Sequence, residues 1–174
     1  TAIHHLFESE GEVVENDHVA FRTFSDSPID ISHLEPVLTD LGYTVFDEYH
    51  FEVKKLYAKS YVHPQLDTKI FLSELNWKDL SESSQTIIRI LLHGLDPNRA
   101  YGFTDGRLWE MPSYEHYQKL AEESEYAAWL SVWGLRANHF TIYVNGLNRY
   151  GELQKVVDLL QQHGYLLNEQ GGVI

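Results

Sequence analysis

The chain has 174 residues, 43% of them hydrophobic and 13% aromatic, the composition of a folded domain with a sizeable core and not of a disordered segment. Acidic residues outnumber basic ones 26 to 13, a formal charge of −13, which argues against nucleic acid or another polyanion as partner because no basic stripe is available to displace counterions. The absence of cysteine excludes disulfides and thiolate metal sites and is compatible with a cytoplasmic setting, and no apolar run is long enough to span a bilayer.

In chain order, the first clear element lies in the stretch ENDHVAFRTF. Alternation from His18 to Phe24 puts Val19, Phe21 and Thr23 on one face and His18, Ala20, Arg22 and Phe24 on the other. A strand that is mostly apolar thus carries a histidine and an arginine on the same side. After the turn-rich SDSP, Leu34, Val37, Leu38 and Leu41 recur at helical spacing and Gly42 supplies the stop. TVFDEYHFEV and KKLYAKSYVHP alternate as two strands of a hairpin, and TKIFLSEL is a further strand. Two helices follow, DLSESSQTIIRILL with its serines as caps, and a longer one in PSYEHYQKLAEESEYAAWLSVW starting near Ser113, with the turn TDGR between them.

From Ala137 the opening pattern returns. His139, Thr141 and Tyr143 share one face of a strand and Phe140, Ile142 and Val144 the other. A helix with Leu153, Val156, Val157 and Leu160 inward follows, stopped by Gly164, and YLLNE resumes as a strand. Asp17-His18 matches Asn138-His139, Leu-Gly-Tyr at 41–43 matches His-Gly-Tyr at 163–165, and the interval from histidine to glycine differs by one residue between the copies. The expected architecture is α+β: duplicated βαβββ modules in a curved, mostly antiparallel sheet with outer helices and a helical insertion. The expected boundaries are 14–78 for the first module, 79–134 for the insertion and 135–174 for the start of the second. Opening on Thr1 and stopping in GGVI, the sequence reads as a piece of a longer chain.

Two related modules place equivalent histidines near a pseudo-twofold axis, close enough to share one divalent metal. Two imidazoles with one carboxylate leave coordination positions open for substrate and dioxygen. Arg22, two pleats from His18, points into the same cavity, where its planar fork suits a carboxylate. The plainer reading is that each histidine is a hydrogen-bonded core residue and that Arg22 pairs with a local carboxylate. The duplication favours the ligand reading. His50 with Glu48 and Glu52 is the competing metal cluster, equally well explained as a solvated strand face. His4 and His5 read as a frayed terminus, and His33, His93, His116 and His163 as surface or helix-end residues. No Gly-rich phosphate loop, GxSxG elbow or HExxH helix occurs.

DHVAFRTF, LEPVLTDLGYTVFDEYHF, KIFLSEL and WGLRANHFTIYVN together resemble the 2-oxoadipate dioxygenase/decarboxylase family of the vicinal-oxygen-chelate superfamily, over essentially the whole chain. The resemblance implies a non-haem Fe(II) enzyme with two histidines and one glutamate as ligands: His18 as the first, His139 as the second, and Arg22 as the substrate-carboxylate arginine. The family's glutamate comes from a later strand of the second module and is expected beyond Ile174. Glu74, in the closing strand of the first module, lies where other superfamily members place a ligand and is read here as a local cap or ion-pair partner. The implied reaction converts 2-oxoadipate and dioxygen to 2-hydroxyglutarate and carbon dioxide, a step of lysine catabolism. The alternatives are a metal-dependent isomerase or lyase of the glyoxalase kind and a metal-free small-molecule-binding module. Nothing in the residues specifies an oligomeric state.

Overall fold

The computed structural model describes residues 1–167. Its elements in order are α1 (Ala2–Ser9), β1 (Asn16–Phe24), α2 (Ile31–Asp40), β2 (Thr44–Phe51), β3 (Leu56–His63), β4 (Leu66–Leu75), α3 (Glu82–Leu92), α4 (Tyr114–Glu123), α5 (Glu125–Trp133), β5 (Ala137–Ile142) and α6 (Leu153–Gln162). The strands form one sheet in the order β2-β3-β4-β1-β5. β1 runs parallel to β4, with Ala20 opposite Phe71 and Arg22 opposite Ser73, whereas β2, β3 and β4 form an antiparallel meander. This is the βαβββ pattern: a helical crossover and a meander return the chain so that the first and fourth strands lie side by side. The fold class expected from the sequence is the one observed.

The chain divides into two compact units, His18–Phe140 and Thr1–Asp17 with the residues from Thr141 onward. In the larger unit the sheet has two distinct faces. On one, Phe21, Ile70, Leu72 and Tyr61 pack against Ile31, Leu34 and Leu38 of α2, a helix started by the Asp30 side chain, which accepts from His33 N. Gly42, at φ +90, takes the left-handed turn that ends it. On the other face, Phe24 and Leu75 pack against Trp77, just past β4, and against Ile88, Leu120, Tyr126 and Leu130 from the inserted helices. In the smaller unit Phe7, Leu147 and Leu159 form a separate core joined by Ile142, Tyr150 and Val156.

Three expectations are corrected. The terminus carrying His4 and His5 is helical, not frayed: Thr1 caps α1 by accepting from His4 N, and Phe7 is fully buried. The long helix expected from Ser113 is two helices, because Ser124 leaves helical geometry (φ −149, ψ 102) and its side chain caps a new start by accepting from Ala127 N. α6 buries Val157 and Leu159, with Leu153 exposed, so its inward face is rotated from the one expected. In the expected strand YLLNE, residues 165–167 have no regular structure and the remainder lies outside the described residues.

Candidate functional site

The face of β1 opposite α2 carries His18, Ala20 and Arg22. β5 lies beside β1 and brings His139 to His18, with ring centroids 5.6 Å apart at an interplanar angle of 77°. Phe71 of β4 stands against His18, centroids 6.4 Å apart. His139 Nδ1 lies 2.7 Å from Asn138 Oδ1. An amide oxygen can only accept, so this contact places the proton on Nδ1 and leaves Nε2 with its lone pair. The His139 pKa is depressed first by partial burial and then by the charges of His18 and Arg22, which favours the neutral imidazole that metal ligation needs.

Arg22 is held from the insertion. Its Nη1 is 3.2 Å from each carboxylate oxygen of Glu125, and its guanidinium lies 4.7 Å from the Tyr126 ring centroid and 5.3 Å from that of Trp129, cation–π contacts that keep the charge in place. The arginine side chain is 18% exposed and the glutamate 74%. Tyr126 is itself tied to the sheet: its hydroxyl accepts from Thr23 N at 3.1 Å and donates to Ser73 O at 2.6 Å. Burial raises the Tyr126 pKa, so the phenol stays protonated. Arg22, Ala20, Phe71, Ser73, Tyr126 and His139 line one pocket of about 220 Å³.

Thus the structure brings together His18, His139 and Arg22. Two adjacent imidazoles from neighbouring strands fit a borderline divalent ion in donor type and proximity. Among the described residues no third His, Cys, Asp or Glu joins them. Glu74 is not in this group: its Oε2 accepts from Ile31 N at 2.8 Å at the start of α2, and burial raises its pKa. His50 and Glu48 gather on Tyr57 instead, the ring at 4.9 Å and the carboxylate accepting from the hydroxyl at 2.8 Å.

Sequence reading missed Glu125, Tyr126, Trp129 and the pairing of Asn138 with His139. The first three lie more than a hundred residues from Arg22, and no local pattern links them to it. Asn138 had a signal, since it matches Asp17 in the repeat. The insertion both fills the core beside β1 and walls the pocket through Tyr126.

The family model described as 2-oxoadipate dioxygenase/decarboxylase matches residues 4–96 and 100–174. The chain belongs to this family. Among curated relatives, the chloroplastic 2-oxoadipate dioxygenase/decarboxylase of Arabidopsis thaliana is 34% identical over 91% of this chain and 47% of its own length. A rice hydroxyglutarate synthase solved in complex with 2-oxoadipate superposes with a TM-score of 0.85 at 34% identity, covering 98% of this chain and 60% of that one. A glyoxalase-superfamily protein of Ralstonia eutropha JMP134 superposes at 0.70 with 20% identity over 90% of this chain and 58% of that one, which shows the fold alone. The chain spans about half the length of the curated relatives it matches. The Arabidopsis relative and a second, from Oryza sativa subsp. japonica, are named as plastid proteins. Among the described residues of this family member, no helix is long and apolar enough to cross a membrane.

Proposed function

We propose that this chain carries the metal-binding and acid-binding part of an Fe(II)-dependent dioxygenase/decarboxylase that takes 2-oxoadipate and dioxygen to 2-hydroxyglutarate and carbon dioxide. The observation that carries the reading is the adjacency of the His18 and His139 rings, with His139 on the wall of the pocket that Arg22 also lines. In this reading residues 14–78 are the complete first module, 79–134 the insertion, and 135 onward the opening of the second, with a glutamate ligand contributed from beyond Ile174.

His18 and His139 hold the ion, and when bound Fe(II) supplies the dioxygen chemistry and polarises the 2-oxo group. Asn138 fixes the His139 tautomer and ring direction. Arg22 takes the far carboxylate of the acid, so that the reacting carbon is held near the imidazole pair. Glu125 engages one end of a guanidinium that has five N–H donors. Tyr126 and Trp129 keep that guanidinium in place, and Ala20 and Phe71 supply apolar wall that thins out water.

The test is oxygen uptake by the full-length protein after anaerobic Fe(II) loading, with a panel of 2-oxo dicarboxylic acids. Oxygen consumption matched by carbon dioxide release is the expected result. Turnover without oxygen consumption assigns the site to isomerase or lyase chemistry, and protein that neither retains iron nor turns over any acid is a binding module.

A further inference from the structure

We propose that Lys54, in the turn joining β2 to β3, is a substrate-binding residue that gives the site its preference for dicarboxylic over monocarboxylic 2-oxo acids. This rests on the reading of the site as a 2-oxo acid site.

The turn carries two consecutive lysines with different lives. Lys55, in left-handed geometry at φ +56, is tied down: its Nζ donates to Asp79 O at 2.6 Å and lies 3.8 Å from Glu123, and its carbonyl accepts from Asn76 N at 2.8 Å. The turn is therefore anchored. Lys54 is exposed, and among the described residues no hydrogen bond or ion pair ties its ammonium group, in a chain where acidic residues outnumber basic ones 26 to 13. It lines the pocket of about 220 Å³ that holds Arg22 and His139, and also the neighbouring pocket of about 410 Å³ that holds Arg22 and Glu125.

Charge gives Lys54 its task. Arg22 is already paired with Glu125, so the two together are neutral, and a substrate carboxylate arriving at Arg22 brings an uncompensated negative charge. An unpaired ammonium on the same pocket wall restores the balance. Position selects which carboxylate it meets. Arg22 is four residues along β1 from His18, about 13 Å of strand, and the turn reaches the sheet at the Arg22 end, where Leu56 pairs with Leu75 and Ala58 with Ser73, the partner of Arg22. Lys54 therefore meets the carboxylate remote from the histidines, the group that separates a dicarboxylic acid from a monocarboxylic one.

The experiment compares kcat/KM for 2-oxoadipate and for 2-oxohexanoate, the same chain without the far carboxylate, in the iron-loaded full-length protein and in Lys54→Met and Lys54→Arg. Calorimetric binding of 2-oxoadipate is measured alongside. Lys54→Met is expected to cut the ratio of the two kcat/KM values by about tenfold, the size of one charge-assisted contact, and to weaken 2-oxoadipate binding in parallel. Lys54→Arg is expected to keep most of both. A ratio unchanged in Lys54→Met overturns the proposal while leaving the oxygenase reading intact. A parent protein that neither binds nor oxidises 2-oxoadipate overturns both.

Discussion

β1 and β5 open with the same signal, an Asp or Asn followed by histidine, and the sheet treats them differently. β1 has a strand on each side, ends in the buried pair Thr23 and Phe24, and has inserted helices packed on its arginine face. β5 lies last in the strand order, and His139 and Phe140 are exposed. One imidazole thus stands on a strand held in the core, against Phe71 of β4. The other is fixed by the loop that delivers it and by the amide beside it. The same local sequence reaches the same point in space by two kinds of support, so the two strands differ in what disturbs them.

The largest effects are expected where the strands are equivalent. His18→Ala and His139→Ala should each lower iron retention and oxygen uptake by more than about 100-fold, since changes one shell further out already cost 10- to 100-fold. Metal content by atomic absorption and an oxygen electrode would show it, and a loss confined to one of the two would break the equivalence.

Arg22→Ala comes next and touches β1 alone. It should remove about 2–4 kcal/mol of transition-state stabilisation, read from kcat/KM, and Arg22→Lys should recover only part because the planar fork is lost.

Gly134→Ala touches the approach to β5. At φ +65, a Cβ there would stand 2.4 Å from Arg107 Cα and Gly106 O. A loss of about 1–3 kcal/mol is expected, measured by urea unfolding, together with reduced metal retention, whereas the cation–π contacts of Arg22 survive as seen by Trp129 fluorescence.

The smallest effect sharpens the role of the insertion behind β1. Burial alone would raise the Glu123 pKa, but hydrogen bonds from Ser84 and Ser81 and the charge of Lys55 more than offset this and hold it below the usual value. A depressed folded-state pKa means that the stabilisation is present above the unfolded value of about 4.3 and is lost as pH falls through the folded one. Glu123→Gln should therefore flatten the acid limb of a thermal-melt series below about pH 4.3 and leave neutral-pH oxygen uptake near the parent level.

Much of β1 was legible because period-two alternation is a local signal, and it placed His18 and Arg22 on the face opposite α2, where they lie. The repeat disclosed His139 for the same reason. What surrounds Arg22 was not legible. Glu125, Tyr126 and Trp129 sit in a run of good helix formers whose only break, at Ser124, is made by a serine side chain turning to cap Ala127 N, and serine is common on exposed helix faces too. α1 was missed because an eight-residue helix shows too few turns for periodicity to declare itself; Phe7, on which its core closes, is a single residue.

The Tyr126 hydroxyl has one more consequence. By standing between Thr23 N–H and Ser73 C=O, it splints two neighbouring strands at the level of the guanidinium that rests over its own ring. That end of the pocket is consequently stiff, a fixed stop and not a following hand. A fixed stop measures length: with Arg22 as the anchor proposed above, an acid with one methylene too many or too few would present its reacting carbon off target, because the anchor does not slide to meet it.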